Sequence, residues 1–231
     1  MLDRRCFKNR SKCIIKNIIN LYMNKTRKIK KKSNKSKKPK KVNGVYKFND
    51  YPEFTPNLSP RQIFKLGSFG GTYWRPIKSK FYNVELRNVH KKYPKSWWKG
   101  IPNEHLTKPF NQYDKSINKY GVKVGTTLKF WESKGWMKKS HPYGWVHWYC
   151  DFFMGKRSDD DERQIKRWQA LASKKGRFMR FLVTQIVKKN GKWNDEAISP
   201  KIRQTLQHWA YKLTKKDFDN EIKRRKKKIN L

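Results

Sequence analysis

The chain has 231 residues, and its 59 Lys and Arg residues against 17 Asp and Glu residues give a formal net charge of +42. A charge of this size favours a polyanionic partner, because phosphate groups relieve the self-repulsion. Aromatic residues make up 15% of the chain, which excludes a fully disordered basic chain and indicates a Trp-rich core. No apolar run reaches the roughly 20 residues that span a bilayer, so we expect no membrane partner. The odd set of Cys6, Cys13 and Cys150 matches no disulfide framework and favours a reducing compartment.

Residues 1–44 hold 17 Lys and Arg residues and one acidic residue, Asp3. Lys25–Lys41 is so dense in like charges that it cannot fold alone, and we predict a disordered basic tail over 1–44. Such a run is typical of a nuclear localisation signal, a nucleic-acid arm or both, the alternative being a tail that only increases solubility. Residues 1–22 fit an amphipathic organelle presequence or, as we favour, an extension before a true start at Met23.

The first half of the remaining chain, to about residue 140, is punctuated by Gly and Pro, which predicts irregular structure with a few short strands at most. One helix is well marked, because Ser59 suits an N-cap, Pro60 suits the first helical position and Gly67 suits the stop. A second helix is predicted over Thr126–Lys134.

The second half has the periodicity of α-helices. Aromatic residues at i, i+3, i+4 and i+7 predict one buried stripe, and Ser, Gly and Pro residues mark the following helix starts. We predict the stripe at Trp145, Trp148, Tyr149 and Phe152, an N-cap at Ser158, a helix over Arg177–Lys189 after Gly176, a cap and start at Ser199-Pro200, and a basic last helix capped by Thr214.

These elements predict a mainly α fold, in which a helical C-terminal half packs with an irregular Gly/Pro/Trp-rich N-terminal half. We expect a single Trp-rich folded domain over 45–213. The basic segment 214–231 would then be a C-terminal helix or tail. The presumed folded part still carries a large excess of basic residues, so charge is not confined to the ends.

Asp159–Glu162 is the densest carboxylate cluster of the chain. One interpretation is a Mg²⁺ site in a nuclease-like enzyme, with Asp151 as a further carboxylate, because hard cations take oxygen ligands. We favour a structural role, since consecutive helical positions point in different directions and acids stabilise a helix N-terminus.

His141, His147 and Cys150 form an H-x5-H-x2-C pattern that offers three of the four ligands zinc needs. Cys150 with His147 or His208 would also suit a nucleophile and its base. We favour a core cysteine and helix-face histidines, because nothing marks an activated thiolate. We therefore predict no catalytic residue, no metal ligand and no cofactor, and we expect a protein that is not an enzyme.

Ser68–Thr72 is a Gly-rich segment that could cradle a phosphate with its backbone amides. It lacks the Lys-Ser/Thr of a P-loop and the spacing of a dinucleotide site. A tight turn leading into an aromatic segment explains it equally well. Arg75, just after Trp74, is the residue of this region with the clearest potential for a phosphate contact.

Basic residues interleaved with rings, as in His90–Lys99 and Trp136–Lys139, form the strongest pattern. Lysines can contact phosphates while Trp and Tyr stack on unpaired bases, although the rings can equally belong to the core. Trp97 and Trp98 are the candidates for stacking. The predicted nucleic-acid-binding residues are Arg75, Lys91, Lys92, Lys95, Lys99, Lys138, Lys139, Arg163, Lys166, Arg167, Lys174, Lys175, Arg177 and Arg180.

Five segments, Pro56–Pro60, Gly67–Ile77, His141–Trp145, Trp148–Cys150 and Asp160–Trp168, together resemble an uncharacterised protein family found in algae, fungi and large DNA viruses. The resemblance covers about residues 50–215. It implies that the middle is one folded unit and that both ends are additions. No activity is attached to that family, so it transfers no functional residue, and a viral source would fit the Lys, Asn and Ile bias.

The sequence thus predicts a non-enzymatic, largely sequence-independent nucleic-acid-binding protein that prefers DNA and acts in genome packaging or chromatin-like organisation. We expect it in the nucleus, a viral factory or a virion. The alternatives are a nucleic-acid-processing enzyme, such as a nuclease or base-modifying enzyme, and a ribosomal or RNA-particle component.

Overall fold

The computed structural model describes residues 37–79 and 83–229, and its architecture is mainly α-helical. Predictions for residues 1–36, including Cys6, Cys13 and a start at Met23, lie outside the described residues. The helices are α1 Pro60–Lys65, α2 Lys95–Trp98, α3 Glu104–Thr107, α4 Leu128–Ser133, α5 Trp145–Phe153, α6 Asp161–Leu171, α7 Arg177–Lys188, α8 Pro200–His208 and α9 Lys215–Ile229. The strands are β1 Lys40–Val42, β2 Val45–Lys47, β3 Ile77–Ser79 and β4 Val84–Leu86.

The strands form two antiparallel hairpins, β1 with β2 and β3 with β4. Val42 pairs with Val45 across a two-residue turn, and both Asn43 and Gly44 in this turn have positive φ. Asn-Gly favours this hairpin turn because both residues tolerate the left-handed conformation. β1 therefore begins inside the segment 1–44 that the sequence analysis assigns to a disordered tail, and over residues 40–44 that assignment is wrong.

The predicted start of α1 is confirmed in full. The Ser59 hydroxyl accepts a hydrogen bond from the Gln62 amide at 3.2 Å, and the Gln62 side chain accepts one from the Ser59 amide at 2.9 Å. This capping box satisfies two backbone donors at once, while Pro60 needs no partner at the first position. Gly67 has a φ of +91°, and a Cβ there would lie 1.9 Å from the Ile117 carbonyl oxygen.

The core is built around α5, whose predicted aromatic stripe is confirmed as buried. Phe54, from the irregular half, is fully buried among rings of α5 and α6, which joins the two halves of the chain. Edge-to-face ring pairs of this kind add to the burial of apolar area. The rings within 5.0 to 6.4 Å of Phe54 are Phe48, Trp145, Trp148, Tyr149, Phe152 and Trp168.

Two predicted helix caps differ in the structure. α6 begins at Asp161, and Ser158 does not cap it, because the Ser158 amide and hydroxyl both donate to the Asp161 carboxylate. That carboxylate also accepts the indole N–H of Trp148 at 2.8 Å, which explains why it is buried. Ser199 precedes α8 as predicted, but it is left-handed and its side chain makes no cap hydrogen bond.

α9 is capped as predicted, since the Thr214 hydroxyl accepts the Asp217 amide at 3.1 Å. The buried carboxylate of Glu221 accepts hydrogen bonds from Arg224 and Arg225 of the same helix. Arg225 in turn donates to the Thr184 hydroxyl of α7 at 3.0 Å. Within 37–79 and 83–229, no helix is long and apolar enough to cross a bilayer.

Candidate functional site

A cavity of about 590 Å³ lies between the Gly-rich turn after α1, the segments flanking α4 and the ends of α5 to α8. Its volume falls within the roughly 300–1,000 Å³ of ligand sites in proteins. Two of its rings face solvent, since Phe110 and Trp136 are each 42% exposed. The aromatic lining consists of Phe69, Tyr73, Phe110, Tyr113, Trp131, Trp136, Tyr143, Trp145, Phe178, His208 and Trp209.

The Gly-rich turn forms one wall of the cavity, and its amides are used within the protein. The Phe69 amide donates to His208 Nε2 at 3.3 Å, and the Gly70 amide donates to Asn118 Oδ1 at 2.8 Å. Gly70 has a φ of +54°, and a Cβ there would lie 2.6 Å from the Tyr113 ring. The tight-turn interpretation of Ser68–Thr72 is therefore correct, and its amides are not a phosphate cradle.

His208 packs against the Gly-rich turn as a neutral ring. Its Nε2 accepts hydrogen bonds from the Phe69 amide and, at 3.0 Å, from the Gln204 side chain, which leaves the ring proton on Nδ1. The ring stacks on Phe69 with 3.8 Å between centroids. Burial lowers the pKa of His208 to about 3, so this residue carries no charge near neutral pH.

Three of the predicted binding residues, Arg75, Arg167 and Arg177, line the same cavity. Each guanidinium lies over a lining ring. The distances to the ring centroid are 5.2 Å from Arg75 to Phe110, 5.3 Å from Arg167 to Trp209, and 5.1 Å from Arg177 to Phe178. Such cation–π contacts orient an arginine while leaving most of its N–H donors free.

The charge of Arg167 is only partly compensated. Its Nη1 donates to the Trp136 carbonyl and the Gln164 side chain, which are both neutral groups. Burial, together with the nearby Arg163, lowers the pKa of Arg167 to about 10, against a smaller opposing effect of Asp160. Among the described residues that line the cavity, none is acidic. The cavity therefore favours an anionic ligand.

Other predicted arginines are engaged within the fold. Arg163 makes two hydrogen bonds to Asp160, at 2.5 and 2.8 Å. Arg180 has its Nε 3.9 Å from Glu221 in the contact between α7 and α9. These arginines are half-buried, and their ion pairs stabilise helices, which reduces their availability to a partner.

The predicted lysines remain at the surface. Lys166 forms a solvated pair with Glu162 at 3.7 Å, a contact that contributes little. The other predicted lysines lie on three separate elements, namely the turn and helix around Lys95, the loop after α4 and the turn before α7. The exposed lysines are Lys91, Lys92, Lys95, Lys99, Lys138, Lys139, Lys174 and Lys175.

Trp97 and Trp98, the predicted stacking candidates, pack against the core. Trp97 lies parallel to Tyr93 with 5.5 Å between centroids, so one of its faces is already covered. Trp98 donates its indole N–H to the His90 carbonyl at 2.9 Å and packs against Phe64. Both rings are half-buried, whereas Phe110 and Trp136, which line the cavity, are each 42% exposed.

The acidic run and the His/Cys pattern take structural positions. Asp160 and Asp161 are buried and hydrogen-bonded, and Cys150 is fully buried, with burial raising the pKa of its thiol. Asp151 accepts hydrogen bonds from Tyr93 and Lys156, both at 3.0 Å. Burial opposes its ionisation, but His141, Lys156 and Tyr93 together lower its pKa. Across the described ranges, no group of three or more His, Cys, Asp and Glu side chains could hold a metal ion.

The cavity itself was not predicted from the sequence. Its rings come from turns and helices that are distant along the chain, as Phe110, Trp136 and Trp209 illustrate. The available signal was the high aromatic content of the irregular segments together with arginines beside rings, as in Arg177-Phe178. Periodicity cannot identify a shared cavity, because these residues belong to different elements.

Comparison with known proteins gives no relative. No protein-family model, no curated protein and no solved structure matches the chain. The resemblance to proteins of algae, fungi and large DNA viruses therefore stays a prediction.

Proposed function

We propose that this chain is a non-enzymatic nucleic-acid-binding protein, largely independent of sequence and preferring DNA, that acts in genome packaging or chromatin-like organisation. The observation that supports this proposal is the exposure of the predicted lysines in the described part. Buried carboxylates such as Asp160, Asp161 and Glu221 serve internal hydrogen bonds, while the predicted lysines are exposed. Among the described ion pairs, the predicted lysines appear once, in the exposed contact of Lys166 with Glu162.

Binding would be driven by release of the counterions that surround a polynucleotide. Each phosphate neutralised by a lysine or arginine adds to the negative slope of the logarithm of affinity against the logarithm of salt concentration. The expected location is the nucleus, a viral factory or a virion. Structured RNA is the alternative ligand, and it would make the protein part of an RNA particle.

The test is a binding series of the full chain with duplex DNA, single strands and structured RNA at several salt concentrations. We expect a steep negative salt slope with all three ligands and the tightest binding to DNA. Replacing the basic residues of 25–35 by glutamine should reduce the slope without abolishing it. Complete loss of binding in that variant would show that the ordered surface has another role.

A further inference from the structure

We propose that the aromatic cavity binds one unpaired nucleotide of a DNA or RNA strand, with its base among the rings and its phosphate against Arg75, Arg167 and Arg177. This inference rests on the proposed function and names the part of the ligand that the cavity takes. It concerns a site distinct from the exposed lysines, which contact only the backbone.

The rings supply a surface on which a base can stack. Trp136 is 42% exposed at the cavity mouth, and its backbone carbonyl oxygen accepts a hydrogen bond from Arg167 at 3.1 Å, which ties the Trp136 backbone to α6. Trp209 is half-buried, and its ring centroid lies 5.3 Å from the same guanidinium. Base stacking on such rings contributes about 1–3 kcal/mol per base and tolerates any sequence.

The arginines supply the complementary charge. In the described part of the chain, the hydrogen bonds of Arg75 and Arg167 use Nη1 only, to carbonyl oxygens and one amide oxygen. The remaining guanidinium donors of both residues are suited to a phosphate, which accepts them in a fork geometry. Arg177 is exposed and reaches the same cavity from the start of α7.

A strand fits better than a free nucleotide, because exposed lysines continue from the rim in several directions. The Lys123 ammonium lies 5.1 Å from the Tyr113 ring centroid. Lys138 and Lys139 directly follow Trp136 and Met137, which line the cavity, and Lys174 and Lys175 precede Arg177. These lysines can neutralise the phosphates on either side of the bound nucleotide. A base inside a duplex is already stacked and paired, so it would have to leave the helix first.

The experiment compares binding of the full chain to a single-stranded oligodeoxythymidine and to an abasic strand of the same length. Both strands present the same phosphates, so any difference reports the base. We expect the strand with bases to bind about tenfold more tightly and to quench the tryptophan fluorescence, since one stacked base contributes on the order of 1–3 kcal/mol. Thymidine monophosphate should compete weakly, because it lacks the flanking phosphates.

Variants separate the ring contribution from the charge contribution. Trp136→Ala should remove most of the preference for the strand with bases, whereas Phe181→Ala, which removes a ring that is 48% exposed outside the cavity, should retain it. Arg177→Gln should weaken binding of both strands more than Lys188→Gln, the matched loss of an exposed charge at the other end of α7. Circular dichroism checks that each variant is folded.

Equal affinity for the two strands, or the same preference in wild type and Trp136→Ala, overturns the inference and leaves the proposed function standing. If Trp136→Ala does not fold, equal effects of Arg177→Gln and Lys188→Gln overturn it instead. Absence of binding to either strand at low salt would overturn the proposed function itself. Tighter binding of thymidine monophosphate than of the strand would assign the cavity to a free nucleotide and contradict the strand proposal.

Discussion

At the scale of single residues, buried neutral histidines make the fold sensitive to acid. Burial lowers the pKa of both His147 and His208 to about 3, whereas an unfolded histidine titrates near about 6.5. Between these values the unfolded chain binds more protons than the folded one. The free energy of unfolding should therefore fall as the pH is lowered from about 6.5, by up to about 1.4 kcal/mol per pH unit for each histidine.

Urea unfolding at about pH 7 and about pH 5 measures this effect. Burial opposes ionisation of Asp50 and Asp160, but Arg157 lowers the pKa of Asp50 and Arg163 lowers that of Asp160. The stability that these two carboxylates contribute is therefore lost only below about pH 4. Burial also lowers the pKa of His90. His208→Gln removes one of these three histidines and keeps an acceptor for the Phe69 amide. It should reduce the loss between these pH values, and an unchanged loss would contradict the assignment of a neutral His208.

At the scale of elements, the Gly-rich turn sets the shape of the cavity. Gly70→Ala places a methyl group 2.6 Å from the Tyr113 ring in a residue with a φ of +54°, so it combines backbone strain with overpacking. We expect a loss of about 2–4 kcal/mol in the free energy of unfolding, of which backbone strain contributes about 1 kcal/mol.

Gly100→Ala is the matched control for this substitution. Gly100 has a φ of +78°, but a Cβ there would meet nothing within 4 Å. The Gly100→Ala variant should lose only about 1 kcal/mol in the free energy of unfolding, from backbone strain. Equal losses in the two variants, measured by urea unfolding, would mean that the close approach of the turn to Tyr113 is unimportant.

The last helix depends on one buried carboxylate. Glu221→Gln removes the charge that faces Arg180, Arg224 and Arg225, whose side chains are 28 to 39% exposed. Fully buried pairs lose about 3–5 kcal/mol when broken, and solvent screening here reduces the expected loss to about 1–2 kcal/mol. Amide hydrogen exchange in α9 should accelerate. Asp219→Asn, which breaks only the exposed pair with Lys215, should leave the exchange rates near those of the wild type.

Elements whose start or buried face is marked by their own residues are predictable from the sequence. Features that depend on contacts between residues distant along the chain are not. The stripe of α5 and the capping box of α1 lie within one helix each, so spacing and residue type suffice. The acids after Ser158 predict a cap there, but Ser158 donates to Asp161 instead, and the Asp161 carboxylate also accepts the indole N–H of Trp148 from another helix. The cavity was missed for the same reason, since its rings meet only after the chain folds.

At the scale of the whole molecule, a net charge of +42 acts on every part of the chain. Exposed ion pairs, such as Lys166 with Glu162 and Lys215 with Asp219, offset little of this repulsion. Salt screens such repulsion over about 10 Å at an ionic strength of about 0.1 M. The free protein should therefore become more stable as salt is added, although its surface ion pairs weaken.

Binding to DNA should reverse the sign of this salt dependence. A polynucleotide stabilises the folded state in proportion to the logarithm of its concentration relative to Kd, and Kd rises steeply with salt. We expect Tm of the free protein to rise between about 50 and about 500 mM NaCl, and Tm of the DNA complex to fall over the same range until the two converge. Differential scanning fluorimetry with and without duplex DNA measures both curves. Parallel curves would mean that DNA does not bind the folded state, and the charge would then have another purpose.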